Sequence, residues 1–99
     1  MTLLSKISLS GRVDSWVNYS VTIPAGKSTL TVTMSGGTGD ADLFVRDGAE
    51  PTSYQYDCRP YETGNDEICT LEVSAGGTVY LSIEAFEAYS GVSLKAVAE

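Results

Sequence analysis

Residues 28–46 read STLTVTMSGGTGDADLFVR, and their pattern decides the fold. Leu30, Val32 and Met34 alternate with Thr29, Thr31 and Thr33. That period puts apolar side chains on one face of a strand and β-branched polar ones on the other. Gly36-Gly37-Thr38-Gly39 then reads as a turn. A second alternation follows over residues 41–46, with Ala41, Leu43 and Val45 inward and Asp40, Asp42 and Phe44 outward.

The same period extends to both sides. Residues 3–9, with Leu3, Ile7 and Leu9, read as an edge strand. In residues 14–23, Val17, Tyr19, Val21 and Ile23 share one face and Asn18, Ser20 and Thr22 the other, Trp16 falling on the polar parity. Pro24-Ala25-Gly26-Lys27 reverses the chain. Downstream, residues 47–57 read as an irregular loop, 56–59 as a short strand, 60–66 as a turn, 67–73 as a strand and 75–77 as a hairpin turn. Residues 78–86 alternate regularly, with Val79, Leu81, Ile83 and Ala85 inward and Tyr80, Ser82, Glu84 and Phe86 outward. Residues 87–91 read as a turn into a last strand carrying Val92, Leu94 and Ala96. Seven or eight such strands predict an all-β, two-sheet antiparallel β-sandwich of jelly-roll or Ig-like type, with residues 1–99 forming one domain.

Composition narrows the function. The net charge is −7, and the cations Lys6, Arg12, Lys27, Arg46, Arg59 and Lys95 are scattered, which argues against nucleic acid and anionic membrane surfaces as partners. No stretch approaches transmembrane length, so membrane insertion is not expected, and a soluble monomer is. Cys58 and Cys69 are the only cysteines. They point to a disulfide; a metal or redox pair is the alternative, weakened by the absence of CxxC and of any imidazole. A bridge closing so short a loop would contribute roughly 3 kcal/mol and implies an oxidising compartment, the periplasm or extracellular space. Residues 1–4 are too short for a signal peptide, so the expectation is a module cut from a longer exported precursor, with Met1 an added start. With no histidine there is no Ser-His, Cys-His or HExxH arrangement, and a chain this small is not expected to build a cleft for a carboxylate pair. Enzyme activity is not expected.

Three ordered motifs then carry a resemblance: GGTGDADLFVRDG over residues 36–48, YDCRPYETGNDEIC over 56–69 and AYSGVSL over 88–94, preceded by SWVNYSVTIPAGKSTLTVTMSGG over 15–37. Together they resemble the bacterial pre-peptidase C-terminal domain family across nearly the whole chain. Phe44 stands where that family usually has tyrosine, and Phe86-Glu87 where a more neutral pair is common. The resemblance implies a β-sandwich appended to a secreted bacterial hydrolase, most often a peptidase. It is usually non-catalytic and often removed during maturation. The implied partners are the parent catalytic domain in the precursor and an insoluble protein or polysaccharide polymer, reached after export through the periplasm. A processing or secretion-assisting module without a ligand is the alternative it leaves open.

Two candidate sites follow. No cofactor is required by these residues, but related domains in bacterial collagenases bind calcium. Asp40 and Asp42 stand two apart at a strand entry, where their carboxylates can share one side. Asp47, Asp14 or backbone carbonyls could complete an oxygen shell for Ca²⁺. The alternative is that Asp40 and Asp42 bond turn amides and keep a sheet edge soluble. Tyr61, Tyr89, Tyr54, Tyr56, Phe44 and Phe86 fall in loops or on outward parity, and flat rings there could stack on a polymer. The alternative is a small secondary core over the disulfide. Arg46 and Arg59 are expected to pair with acids such as Asp57 or Glu62.

Overall fold

Alternating β-branched and apolar residues make strands wherever one face can be buried. The computed structural model describes residues 1–60 and 64–99 and has six: β1 (Thr2–Gly11), β2 (Trp16–Thr22), β3 (Thr29–Ser35), β4 (Thr38–Asp47), β5 (Glu67–Glu72) and β6 (Thr78–Ala98). Every pairing between them is antiparallel. The first half of β6 lies between β2 and β4, and its second half between β1 and β3, with β5 beyond β3. One long strand therefore belongs to both layers of the sandwich.

Residues 87–91, expected as a turn, do not reverse the chain. They stay laddered as they cross between layers, with Asp40 opposite Glu87, Gly11 opposite Tyr89 and Thr38 opposite Ser90. The structure thus has six strands among the described residues where the sequence suggested seven or eight. Residues 56–59 add only an isolated bridge from Cys58 to Val45. The glycines of residues 36–39 serve the crossing more than a turn. A Cβ on Gly37 would lie 2.1 Å from the Ser90 carbonyl oxygen, and one on Gly39 2.0 Å from that of Ala88. Both have φ in the left-handed region.

The inward parities hold in β3, β4 and β6; in β2 Val17 and Tyr19 are half-buried, and in the edge strand β1 Ile7 is exposed. Leu30, Val32, Met34, Leu43, Val45, Leu81, Ile83, Val92 and Leu94 are all buried. Each such side chain stabilises the fold by about 1.5–3 kcal/mol relative to exposure. Cys58 and Cys69 form the disulfide, with their Cα atoms 6.1 Å apart, tying the loop after β4 to β5. No helix among the described residues is long and apolar enough to cross a membrane.

Gly39→Ala should lower the melting temperature by roughly 20 °C or more, because backbone must move to admit the methyl group. Gly26→Ala, also at positive φ but with open space around it, should cost only about 5–10 °C. Thermal unfolding of the two variants checks this; equal losses would remove the close-approach account.

Candidate functional site: the covered edge and outer face of β4

β4 has β6 on one side only, so its outward amides need partners from elsewhere. The loop after it and the first residue of β5 supply them at every second residue. Ala41 donates to Asn65 Oδ1 at 2.8 Å, Leu43 to Glu67 Oε1 at 3.2 Å, Val45 to the Cys58 carbonyl at 2.9 Å and Asp47 to Asp57 Oδ2 at 2.7 Å. The Val45 carbonyl accepts from Asp57 and Cys58. Asn65 Nδ2 also donates to the carbonyls of Gly36 and Thr38, and Asp66 Oδ1 accepts from the Gly36 amide, which fixes the start of β4. The spacing of Asp57, Cys58, Asn65 and Glu67 is therefore that of a substitute strand built largely from side chains.

The same loop covers the outer face. Phe44 points outward from its sheet, yet it is only 1% exposed. Its ring packs against Trp16 at 5.0 Å and edge-on against Tyr56 at 5.7 Å, and the Arg59 guanidinium lies 4.8 Å from the ring centroid. Beside it, Ser82 is buried and donates to Asn18 Oδ1 at 2.5 Å. Parity predicted their direction but not the cover over them.

An acidic cluster adjoins this layer. Arg59 lies 3.7 Å from Asp42 Oδ2, while Asp40 and Glu84 add negative charge nearby. Burial first, then Asp40, raises the Asp42 carboxyl above its usual 3.8, against the opposing pull of Arg59. Glu67 is 4% exposed, and burial pushes its carboxyl up to about 8. The bond from Leu43 pulls the other way, and the charges of Asp42 and Asp40 raise it further. Its Oε2 has no hydrogen-bond partner among the described residues.

The four predicted calcium ligands are not brought together. Asp40 and Asp42 are neighbours, as their spacing implied. Asp47 lies five residues along β4 from Asp42, about 16 Å in an extended strand, and is bound through its amide to Asp57. Asp14 precedes β2, with β6 intervening, so it is about 10 Å across the sheet from β4. Among the described residues no three acidic or sulfur side chains form a metal-holding group, and the cation facing Asp42 is Arg59. These residues do not fit a calcium shell.

The predicted aromatic set also divides. Phe44 and Tyr89 are buried, Tyr89 at 4% exposure, because its ring fills the layer crossing against Gly11. Neither offers a face to a ligand, which corrects both assignments. Tyr56 is half-buried against Phe44. Tyr54 and Phe86 are exposed, at 92% and 64%. Tyr61 and Glu62 lie outside the described residues. Asp57 caps the Asp47 amide and Arg46 bonds Gln55 Oε1 and the Glu50 carbonyl, while Arg59 does pair with an acid, Asp42. Sequence reasoning missed Asn65 and Glu67 as edge caps. They stand just before and at the start of β5, two residues apart like the β4 residues they cap, a match visible only once the two segments are brought together.

Fold, disulfide and capped edge define a small β-sandwich module, and the chain belongs to the bacterial pre-peptidase C-terminal domain family, whose model matches residues 18–85. It is 42% identical over 89 residues to the neutral protease of Vibrio proteolyticus, covering 90% of this chain and 14% of that protease. To the extracellular protease of Xanthomonas campestris it is 54% identical over 80 residues, covering 81% of this chain and 14% of that one. It is also similar to the solution structure of vEP C-ter 100, with TM-score 0.77 and 40% identity over 91% of this chain and 88% of that one. The chain thus spans about one seventh of the length of these proteases and corresponds to a C-terminal module, not to their catalytic part.

Between pH 4.5 and about 8 the unfolded chain releases the Glu67 proton while the folded chain keeps it. The stability this group contributes is full below 4.5 and is lost as pH rises through about 8. Asp42, shifted the same way, adds to the slope. Urea midpoints should fall across this window, and Glu67→Gln, which still accepts from Leu43, should flatten the fall and raise the midpoint at its upper end. A variant with the wild-type slope would contradict the assignment.

Proposed function

We propose that the chain is a non-catalytic accessory module of a secreted bacterial peptidase, holding its parent to a polymeric substrate or cell surface outside the cell. Family membership supports the peptidase context, and the names of the relatives support the extracellular one. Export through the periplasm suits the disulfide, which forms under oxidising conditions. The module acts as a monomer beside its catalytic domain, on a protein fibre or a polysaccharide.

The observation carrying this reading is the display of Tyr54. Its ring is 92% exposed on a turn whose backbone is fixed, since Thr52 Oγ1 accepts from the amides of Tyr54 and Gln55 and Arg46 holds Gln55. An aromatic held outward on an ordered turn offers contact area at low entropic cost. Folding alone gives no reason to put it there.

The isolated domain should be retained on at least one of collagen, keratin, chitin and cellulose, with retention unchanged by chelator. Tyr54→Ala should lose retention without a change in melting, whereas Phe44→Ala should lose about 3–5 kcal/mol of stability. Retention on none of the four, or active secreted enzyme always lacking this domain, would favour the processing module instead.

A further inference from the structure

Three sheet edges besides that of β4 face outward, and they are not alike. β1 is broken by three register shifts, has Ser8 at positive φ, and carries Lys6. β5 begins and ends with glutamate. These are the usual devices that keep an edge from pairing with another chain. β2 has none of them. Its seven residues, WVNYSVT, are uncharged and free of proline, and all seven pair with β6 without a shift.

The register tells which groups are open. Ile23 donates to the Gly77 carbonyl and accepts from Gly76, so in the alternating antiparallel ladder Val17, Tyr19 and Val21 bond to β6. The amides and carbonyls of Asn18, Ser20 and Thr22 therefore point away from it. β2 pairs with no other strand among the described residues. A groove borders this edge on each side. One is lined by Trp16, Asn18, Glu50, Pro51, Thr52 and Ser53 on the outer face; the other runs from Ser10 to Ser15 and reaches Val17. An added strand sends alternate side chains to opposite faces, and so into one groove and then the other.

We infer that the open edge of β2 takes up an extended, cationic polypeptide segment as an additional strand. This deepens the reading above, on which it rests, by naming the polymer as polypeptide. Charge selects the occupant. The outer groove carries Glu50, Glu84 lies opposite Trp16 in the next strand, and the second groove balances Arg12 with Asp14. A lysine or arginine side chain lying over Trp16 would meet Glu50 and the indole face together. A second copy of the chain would instead bring another −7 and another Glu50 to the same edge.

The test uses the domain labelled with ¹⁵N and a soluble, end-blocked peptide of alternating lysine and threonine, beside the same peptide with glutamate for lysine. The lysine peptide should shift the amides of Asn18, Ser20 and Thr22, slow their hydrogen exchange, and bind about tenfold more tightly than the glutamate peptide. Ser20→Pro removes one outward N–H and no bond to β6, and the extended conformation at Tyr19 suits a following proline. It should weaken binding by about tenfold with melting nearly unchanged. Glu50→Lys, which leaves β2 intact, should weaken the lysine peptide alone, and it decides the matter if Ser20→Pro unfolds. Shifts confined to other residues, equal binding of the two peptides, or wild-type affinity in Glu50→Lys would overturn the inference. So would dimerisation without peptide that Ser20→Pro abolishes, or retention on polysaccharide alone. If a polymer still retains the domain while β2 ignores the peptide, only the edge assignment falls; if neither is bound, the accessory reading falls with it.

Discussion

The unpaired side of β4 is the constraint on which this structure turns. Four amides of that strand face away from β6, and each of the three on buried residues, Ala41, Leu43 and Val45, would cost about 1–3 kcal/mol if left without an acceptor. Their sum is comparable to the ~5–15 kcal/mol net stability of a whole domain. A further strand would have satisfied them with backbone. Here Asn65, Glu67 and Asp57 do so with side chains, and Cys58 with its carbonyl. The disulfide follows from this arrangement, since it anchors to β5 the loop that supplies these acceptors.

The same arrangement accounts for the charge pattern. Bringing Glu67 to the Leu43 amide removes it from water and sets it near Asp40 and Asp42, with Arg59 as the local cation. Of the acids that looked like ligands in the sequence, Asp40 and Asp42 lie beside this capping layer, Asp42 facing Arg59. The opposite edge of that sheet, β2, carries no such cap among the described residues.

Much of the fold was legible because period-two alternation needs only local sequence. The inward residues of β3, β4 and β6 are buried as their parity required. What failed depended on distant segments. Gly91 and its polar neighbours resemble a turn, but whether residues 87–91 reverse or cross depends on Thr38 and Gly11 lying alongside. Phe44 was placed by the parity of its strand and Tyr89 by an expected turn, and neither can say what packs over the ring. Asn65 and Glu67 serve amides 24 residues away, so no local pattern marks them as caps.

The most direct test of this account is hydrogen exchange at the outward amides of β4. Ala41, Leu43, Val45 and Asp47 should be protected to the level of the central β6 ladder, and Asn65→Ala should release Ala41 first. Exchange of these four at the rate of the open amides of β2 would contradict it.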